Sequence, residues 1–291
     1  MSVTIDLSGK TILVTGSTDG VGRRVALELG AAGAKPLIHG RNRQRAEEVI
    51  DELRKRGNGS AQLYLADLSS LDEVRRLAAA IRRDHRRLDL LINNAGIGSA
   101  SGGRQRRTST DGYELRFAVN YLAGFLLTRL LLPLIVASAP SRIVNVASAG
   151  QYPIDFKDVM LTRHYDGGRA YMQSKLAQIM FTFDLARELT GSDVTVNCLH
   201  PATYMATTMV RESGVSPLST VDEGAEAILQ LAVSSELEGR TGLYFHGQRL
   251  AGANPQAYDE EARKRLSALS FQLTGLAPTA ETPRRSMDTH S

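Results

Sequence analysis

Residues 11–22, TILVTGSTDGVG, decide the fold of this 291-residue chain. The segment begins as an apolar run with the β-branched residues Ile12 and Val14, which is typical of a buried strand. The run breaks at Gly16, and the sequence that follows, VGRRVALELGAAG, carries valine and leucine at helical spacing. A strand, a glycine turn and a helix in this order predict a phosphate site, because glycine lets the backbone approach a pyrophosphate and the helix N-terminus presents unpaired N–H groups.

The glycines of this turn are Gly16, Gly20 and Gly22, and their spacing G-x-x-x-G-x-G is a variant of the dinucleotide-binding fingerprint. The pattern alone leaves open that the turn is merely tight, so the rest of the chain has to decide.

Composition favours a globular protein with one sizeable core, since 42% of the residues are hydrophobic. No apolar run approaches the length that spans a bilayer, and the N-terminal MSVTIDLSGK does not look like a signal peptide. The one cysteine, Cys198, excludes an intrachain disulfide and is expected to pack in a buried strand. These features predict a cytoplasmic location.

Charge does not favour a nucleic-acid partner. The formal charge of +4 arises from 35 basic and 31 acidic residues that are interspersed. Two basic clusters occur at residues 82–87 (RRDHRR) and 104–107 (RQRR), but neither is interleaved with aromatic residues, so we interpret both as solvated faces. The six histidines show no metal-ligand spacing, and we expect no metal.

Strands and helices alternate along the chain. After the first unit, strands are predicted at residues 35–39, 61–66, 88–92, 142–147, 194–199 and 242–245, and helices at 42–56, 70–85, 112–138, 168–189, 221–234 and 255–276. This alternation predicts an α/β fold in a single domain, residues 1–276, with a doubly wound, Rossmann-like parallel sheet of about seven strands and helices on both faces. Residues 277–291 are predicted to form a disordered tail.

Ligands of such sheets bind at the carboxyl ends of the strands. Arg41 follows the second strand, where an arginine can clamp a 2′-phosphate, and this favours NADPH over NADH. The alternative is that Arg41 only starts a basic helix. Asp67, followed by Leu68 at the end of the third strand, can accept from the adenine amino group or cap the next helix.

The fourth strand ends in Asn93-Asn94-Ala95-Gly96, small and amide-bearing residues that let the backbone pass beside a cofactor. Ser148 ends the fifth strand, and Tyr171 and Lys175 lie one turn apart on the next helix, 23 residues beyond that serine. A phenol with a pKa of ~10 is a poor base at neutral pH. An ammonium group one turn away and a cationic nicotinamide ring would stabilise the phenolate and lower that pKa.

TGSTDGVG, NNAG, Ser148 and Tyr171-x-x-x-Lys175 occur in the order and strand context of the short-chain dehydrogenase/reductases, which the chain resembles over about residues 7–245. GRN, VNYLAGFLLT, RIVNVAS and LHPA further resemble the retinol dehydrogenases and related bacterial ketone reductases. The resemblance implies that Asn120 holds a water in a proton relay and that Ser148 binds the substrate carbonyl. It also implies that Tyr171 acts as the acid and that Lys175 binds the nicotinamide ribose.

Together, the motifs and the resemblance predict these cofactor-binding residues: Gly16, Ser17, Thr18, Asp19, Gly20, Val21, Gly22, Arg41, Asp67, Leu68, Asn94, Ala95, Gly96, Tyr171, Lys175, Pro201, Thr203 and Thr207.

The sequence departs from the family pattern at two places. Ala147 precedes Ser148 where the family has a second serine, and Ala202 replaces the family's glycine after Pro201. The threonine that touches the carboxamide of the cofactor is therefore Thr207 or Thr208.

We therefore expect an NADPH-dependent carbonyl reductase that acts on ketones or aldehydes. Residues 149–167 and 203–217 are expected to cover the nicotinamide as lids. Their apolar side chains suggest a bulky hydrophobic substrate, unless they only pack the lids; these are Tyr152, Phe156, Met160, Tyr204, Met205 and Met209.

Two other functions stay open on the sequence: an NAD-linked alcohol dehydrogenase, and a non-catalytic NADPH-binding sensor or scaffold. The nearly all-apolar residues 128–136 (TRLLLPLIV) belong to the core or to the interface of a homodimer, since the corresponding helix of the family often packs against a second subunit.

Overall fold

Eight strands form one sheet in a computed structural model of the protein, which describes residues 6–99 and 105–277. The order is β3-β2-β1-β4-β5-β6-β7-β8. The strands are β1 Thr11–Val14, β2 Lys35–Gly40, β3 Gln62–Leu65, β4 Leu90–Asn93, β5 Ser141–Val146, β6 Val194–His200, β7 Tyr244–His246 and β8 Arg249–Leu250. Residues 278–291, which belong to the predicted tail, lie outside the described residues. So do residues 100–104, which include Arg104 of the second basic cluster.

Helices connect the strands as predicted. They are α1 Gly20–Ala31, α2 Arg43–Lys55, α3 Leu71–Asp84, α4 Ala123–Ala137, α5 Gly167–Glu188, α6 Thr208–Glu212, α7 Val221–Val233 and α8 Glu260–Thr274. The fold class is confirmed: β1 to β7 pair in parallel, and the strand order reverses between β2-β1 and β4. A crevice at this reversal point, outside the carboxyl ends of β1 and β4, is where open α/β sheets bind ligands.

Three local features differ from the prediction. Strand β8 pairs antiparallel with β7, and its two exposed residues are too short a run to show alternation. Helix α6 has five residues, none of them buried, so it lacks an apolar period. The predicted helix at 112–138 starts as a π-helical turn, Phe117–Leu122, before α4 continues it.

The sheet is buried on both faces because neighbouring strand residues alternate between two apolar layers. Leu13 packs into one layer, whereas Ile12 and Val14 pack into the other. The second layer also receives Val21 and Val25 of α1, so the helix is held against the strand that leads into the glycine turn. The turn is thereby supported from both sides.

The run Phe117–Ala137 is 21 residues long with a mean hydropathy of 1.8, enough by length and composition to cross a membrane. The expectation that no apolar run approaches this length is wrong. Inside the fold 61% of an 18-residue window of this run is buried, and Arg129 within the run forms an ion pair with Glu188 at 2.6 Å. The Arg129 guanidinium also lies over the Phe125, Phe181 and Phe271 rings at 5.2–5.7 Å, so packing against α5 and α8 accounts for much of the apolar character.

Candidate active site

The glycine turn is built around contacts that leave no room for side chains. Gly16 has a φ of +65°, and a Cβ added there would lie 3.0 Å from the Cα of Ala95. A Cβ on Gly22 would lie 2.3 Å from Asn94 Nδ2 and 2.4 Å from the Gly16 carbonyl oxygen. Asn94 Nδ2 in turn donates to the Thr15 carbonyl at 2.8 Å. The predicted turn and the predicted segment after β4 therefore form one cradle at the carboxyl ends of β1 and β4.

The remaining turn residues close the sides of this cradle. Ser17 Oγ accepts a hydrogen bond from the His39 backbone at 2.9 Å, and the Thr18 side chain covers Gly40, where a Cβ would come within 2.5 Å of it. Asp19 caps α1 by accepting from the Gly20 N–H at 2.7 Å. Val21, the first apolar residue of the helix, is buried.

The segment after β6 lies on the glycine turn. Thr208 Oγ1 donates to Asp19 Oδ2 at 2.8 Å. Thr207 caps α6 and lies next to Gly20: a Cβ on Gly20 would lie 3.3 Å from the methyl group of Thr207. Thr203 Oγ1, by contrast, is hydrogen-bonded to His200 Nε2 at 3.0 Å. Pro201, between these two residues in the chain, is buried. Which threonine contacts a carboxamide stays a prediction.

The predicted adenosine end follows two neighbouring strands, since Gly40 of β2 pairs with Leu65 of β3. Arg41 is 69% exposed, and its Nη1 lies 3.7 Å from Asp67 Oδ2. Asp67 does not cap the next helix: Ser70 does, by accepting from the Glu73 N–H at 3.4 Å, while Asp67 accepts from Ser69. That alternative for Asp67 is therefore wrong. Leu68 is buried in the core layer that faces α3.

Asn120 and Lys175 meet at Gly96. The π-helical turn places Asn120 so that its Oδ1 accepts from the Ile97 N–H at 2.8 Å and its Nδ2 donates to Ser174 Oγ at 3.0 Å. A Cβ on Gly96 would lie 3.2 Å from Asn120 Oδ1 and 3.5 Å from Lys175 Nζ. Gly96 thus places the segment after β4 next to the lysine ammonium group.

Ser148 lies near enough to the Tyr171 hydroxyl to lower the pKa of the phenol against the effect of burial. Ser148 Oγ also accepts from the Gly150 N–H at 3.1 Å, while its carbonyl oxygen accepts from Tyr244 Oη and Gln151 Nε2, each at 3.1 Å. Tyr244 and Gln151 did not stand out in the sequence, because both bind a main-chain atom, to which no side-chain pattern points. They hold the end of β5 from two sides.

The pKa values of Tyr171 and Lys175, both on α5, shift so that the uncharged form of each is favoured. Burial lowers the pKa of Lys175 to about 7, although its Nζ donates to the Val146 carbonyl and to Gln178 Oε1, both at 2.9 Å. Burial raises the pKa of Tyr171, and the hydrogen bond with Ser148 offsets this only in part. The ammonium group one turn away does not by itself lower the pKa of Tyr171; the expected effect of a nicotinamide ring stays a prediction. Lys175 Nζ lies 5.8 Å from the centre of the Tyr171 ring, and the effect of burial on the Tyr171 pKa outweighs any stabilisation of the phenolate by this ammonium group.

A buried charge cluster ties the segment after β4 to the long loop before α5. Arg116 is completely buried; its Nε donates to the Gly98 carbonyl at 3.0 Å and a terminal nitrogen donates to Tyr165 Oη. Tyr165 Oη donates to Glu114 Oε1 at 3.0 Å, and Glu114 is buried as well. No motif in the sequence points to this cluster, which links Gly98 after β4 to Tyr165 in the loop before α5.

The six apolar residues predicted to line the substrate site divide into two groups. Phe156, Met160 and Met205 pack against the core layers, which matches the alternative that they only support the lids. The other three are open to solvent: Tyr152 is 43%, Tyr204 49% and Met209 36% exposed.

The residues present fit a nicotinamide dinucleotide. At the start of α1 the backbone of Gly16 and Gly22 approaches Ala95 and Asn94 closely, and Gly96 of the same segment lies close to Lys175 Nζ. A helix N-terminus with close backbone approach suits a pyrophosphate.

The short chain dehydrogenase family model matches residues 10–216. The chain belongs to this family and is an NAD(P)-dependent oxidoreductase, whose substrates are small molecules.

Within the family, the resemblance to the retinol dehydrogenase-like subgroup is confirmed. Human retinol dehydrogenase 13 is 39% identical over 289 residues, which cover 93% of this chain and 86% of that protein. Among solved structures, an uncharacterized protein from Mycobacterium paratuberculosis superposes with a TM-score of 0.77 at 28% identity, covering 94% of this chain and 97% of that one. A short chain dehydrogenase from Escherichia coli CFT073, complexed with NADPH, has a TM-score of 0.69 at 26% identity, covering 84% of this chain and 99% of that one.

Proposed function

We propose that the protein is an NADPH-dependent carbonyl reductase that converts a bulky, hydrophobic ketone or aldehyde to the alcohol. The observation that carries this proposal is that Ser148 and Lys175 both lie near Tyr171: Lys175 Nζ is 5.8 Å from the centre of the Tyr171 ring and would be 3.5 Å from a Cβ on Gly96. Two hydroxyl donors that converge on one point suit a carbonyl oxygen that gains negative charge.

In the proposed reaction, Ser148 and Tyr171 both donate to the substrate carbonyl oxygen. When bound, a reduced nicotinamide supplies the hydride that adds to the carbonyl carbon. Tyr171 transfers its proton to the oxygen, and its raised pKa keeps the phenol protonated until then. The positive charge of Lys175, which shares a helix face with Tyr171, stabilises the phenolate that remains. Asn120 holds the loop at Ile97 and, through Ser174, the start of α5.

The preference for NADPH rests on Arg41. Replacing Arg41 by alanine is expected to weaken NADPH binding by about 10- to 100-fold, because a charge-assisted hydrogen bond to the 2′-phosphate is lost. NADH, which lacks that phosphate, should bind as before or slightly better, since Asp67 loses its ionic partner at 3.7 Å. The measurement is the dissociation constant of each cofactor by fluorescence titration.

Arg43→Ala is the matched control for Arg41. Arg43 lies two residues further on, in an exposed i,i+4 pair with Glu47 at 3.4 Å, and its loss should leave both affinities unchanged. An unchanged NADPH-to-NADH ratio in Arg41→Ala would favour the NAD-linked alcohol dehydrogenase instead.

The substrate class is inferred from Tyr152, Tyr204 and Met209, whose side chains are exposed on the two segments that flank the crevice. We expect consumption of NADPH with retinal-like, steroid-like or polyketide-like ketones and aldehydes, and none with a small polar sugar. A panel of carbonyl compounds scored by NADPH oxidation checks this. Turnover of the sugar without turnover of any bulky apolar compound would contradict it.

A cytoplasmic location and a homodimer that forms through α4 belong to the same proposal. Pro133 and Val136, on the second half of α4, are exposed and supply an apolar contact surface for a second copy.

A further inference from the structure

We propose that Gln178 is a positioning residue that aims the ammonium group of Lys175 into the cofactor cradle, an inference that rests on the role of Lys175 in the proposed function. Gln178 follows Lys175 by three residues on α5, and both side chains are buried. No feature of the sequence singled it out.

Two of the three N–H groups of the Lys175 ammonium are used in hydrogen bonds within the protein, which leaves one for the cradle. A lysine ammonium carries three N–H groups. One is donated to the Val146 carbonyl and a second to Gln178 Oε1, each at 2.9 Å. These two bonds fix two of the three N–H directions, and Gly96 lies close to the group, since a Cβ there would be 3.5 Å from Nζ.

Gln178 is itself held in place by buried polar contacts. The main-chain carbonyl oxygen of Gln178 accepts from Thr182 Oγ1 at 2.8 Å, and Thr182 Oγ1 accepts from Asn145 Nδ2 at 2.9 Å. Asn145, on β5, accepts at its Oδ1 from Asn93 on the neighbouring strand, also at 2.9 Å. The helix turn that carries Gln178 is thus tied to the two strands whose ends form the site.

The Gln178 Oε1 acceptor stabilises the charged form of Lys175, because few charged groups surround the ammonium group. Tyr171 is the titratable neighbour on α5, and His200 and Cys198 are those on β6. Burial lowers the pKa of His200 to about 4 and raises the pKa of Cys198 to about 12, so both are neutral near pH 7. The nearby side chains of the segment after β5 and of the π-helical turn, Ser148 and Asn120, are uncharged. The Gln178 amide is therefore a main polar support of the charged lysine.

The test uses Gln178→Met, which removes the acceptor at similar size, and Gln178→Glu, which places a carboxylate there. Losing the acceptor disfavours the charged lysine, so the alkaline limb of kcat/KM should move to lower pH by about one unit. A carboxylate favours the charged lysine and should move the limb to higher pH by at least as much. The pH dependence of the NADPH dissociation constant, measured without substrate, should move in the same directions.

Gln173→Met is the matched control, because Gln173 is a buried glutamine on the same helix whose amide donates to the Val159 carbonyl. Its alkaline limb should coincide with that of the wild type, whatever its thermal stability. Opposite shifts in the two Gln178 variants cannot arise from a common loss of stability. Limbs that coincide with the wild type, or that move in one direction for both variants, would overturn the proposal. Tyr171→Phe is assayed alongside. If the limbs fail to move in opposite directions while Tyr171→Phe is inactive, only the role of Gln178 is contradicted. If Tyr171→Phe is active, the proposed function itself fails.

Discussion

Replacing Tyr171 by phenylalanine is expected to lower kcat by about 1,000-fold while leaving the affinity for NADPH within a few-fold of the wild type. The phenol is the proposed acid, and its removal leaves the substrate oxygen with Ser148 as its one remaining donor. Cofactor binding should survive, because the glycine cradle and Lys175 do not depend on the Tyr171 hydroxyl: Nζ is held by Val146 and Gln178. Steady-state kinetics and fluorescence titration of NADPH separate the two effects.

Tyr113→Phe provides the control for this change. Tyr113 loses the same hydroxyl, but that group donates to the Leu273 carbonyl at 2.8 Å, at a contact between the chain before α4 and the end of α8. We expect kcat of the control to stay within about two-fold of the wild type, since no atom of the proposed site is touched. Near-normal turnover of Tyr171→Phe would refute the assignment of the acid and leave the fold and the cofactor site as they are.

Gly22→Ala is expected to weaken NADPH binding by at least about 100-fold and to destabilise the protein by about 1–3 kcal/mol. The added Cβ would lie 2.3 Å from Asn94 Nδ2 and 2.4 Å from the Gly16 carbonyl, and the second of these is backbone that cannot move without the whole turn. Glycine to alanine in a helix otherwise gains about 1 kcal/mol, so the clash has to exceed that gain. Thermal unfolding and NADPH titration measure the two effects.

Gly59→Ala is the comparison, because a Cβ at Gly59 meets nothing within 4 Å and its φ is not in the left-handed region. We expect unchanged NADPH affinity there and stability equal to or slightly above that of the wild type. If Gly22→Ala bound NADPH as tightly as Gly59→Ala does, the turn would not be the pyrophosphate site.

Short-range patterns were enough for the framework of the site. Gly16 to Gly22, the NNAG segment, and Tyr171 with Lys175 are each defined within a few residues. The first two come directly after β1 and β4, and the third lies on the helix that follows β5. Because parallel strands end at the same edge of the sheet, their meeting there follows from the strand order. Contacts between distant segments gave no such signal: Thr208 reaches Asp19 across 189 residues, and Tyr244 reaches Ser148 across 96.

The sequence by itself determined the alternation of strands and helices and the glycine turn that leads into α1, since these depend on local periodicity and backbone freedom. It also determined the spacing that puts Tyr171 and Lys175 on one helix face. Only the tertiary structure decided how strongly these groups hold their protons, because burial is a property of the packed fold. For the same reason, only the fold showed that Gln178 supports the lysine and that half of the apolar lid residues belong to the core.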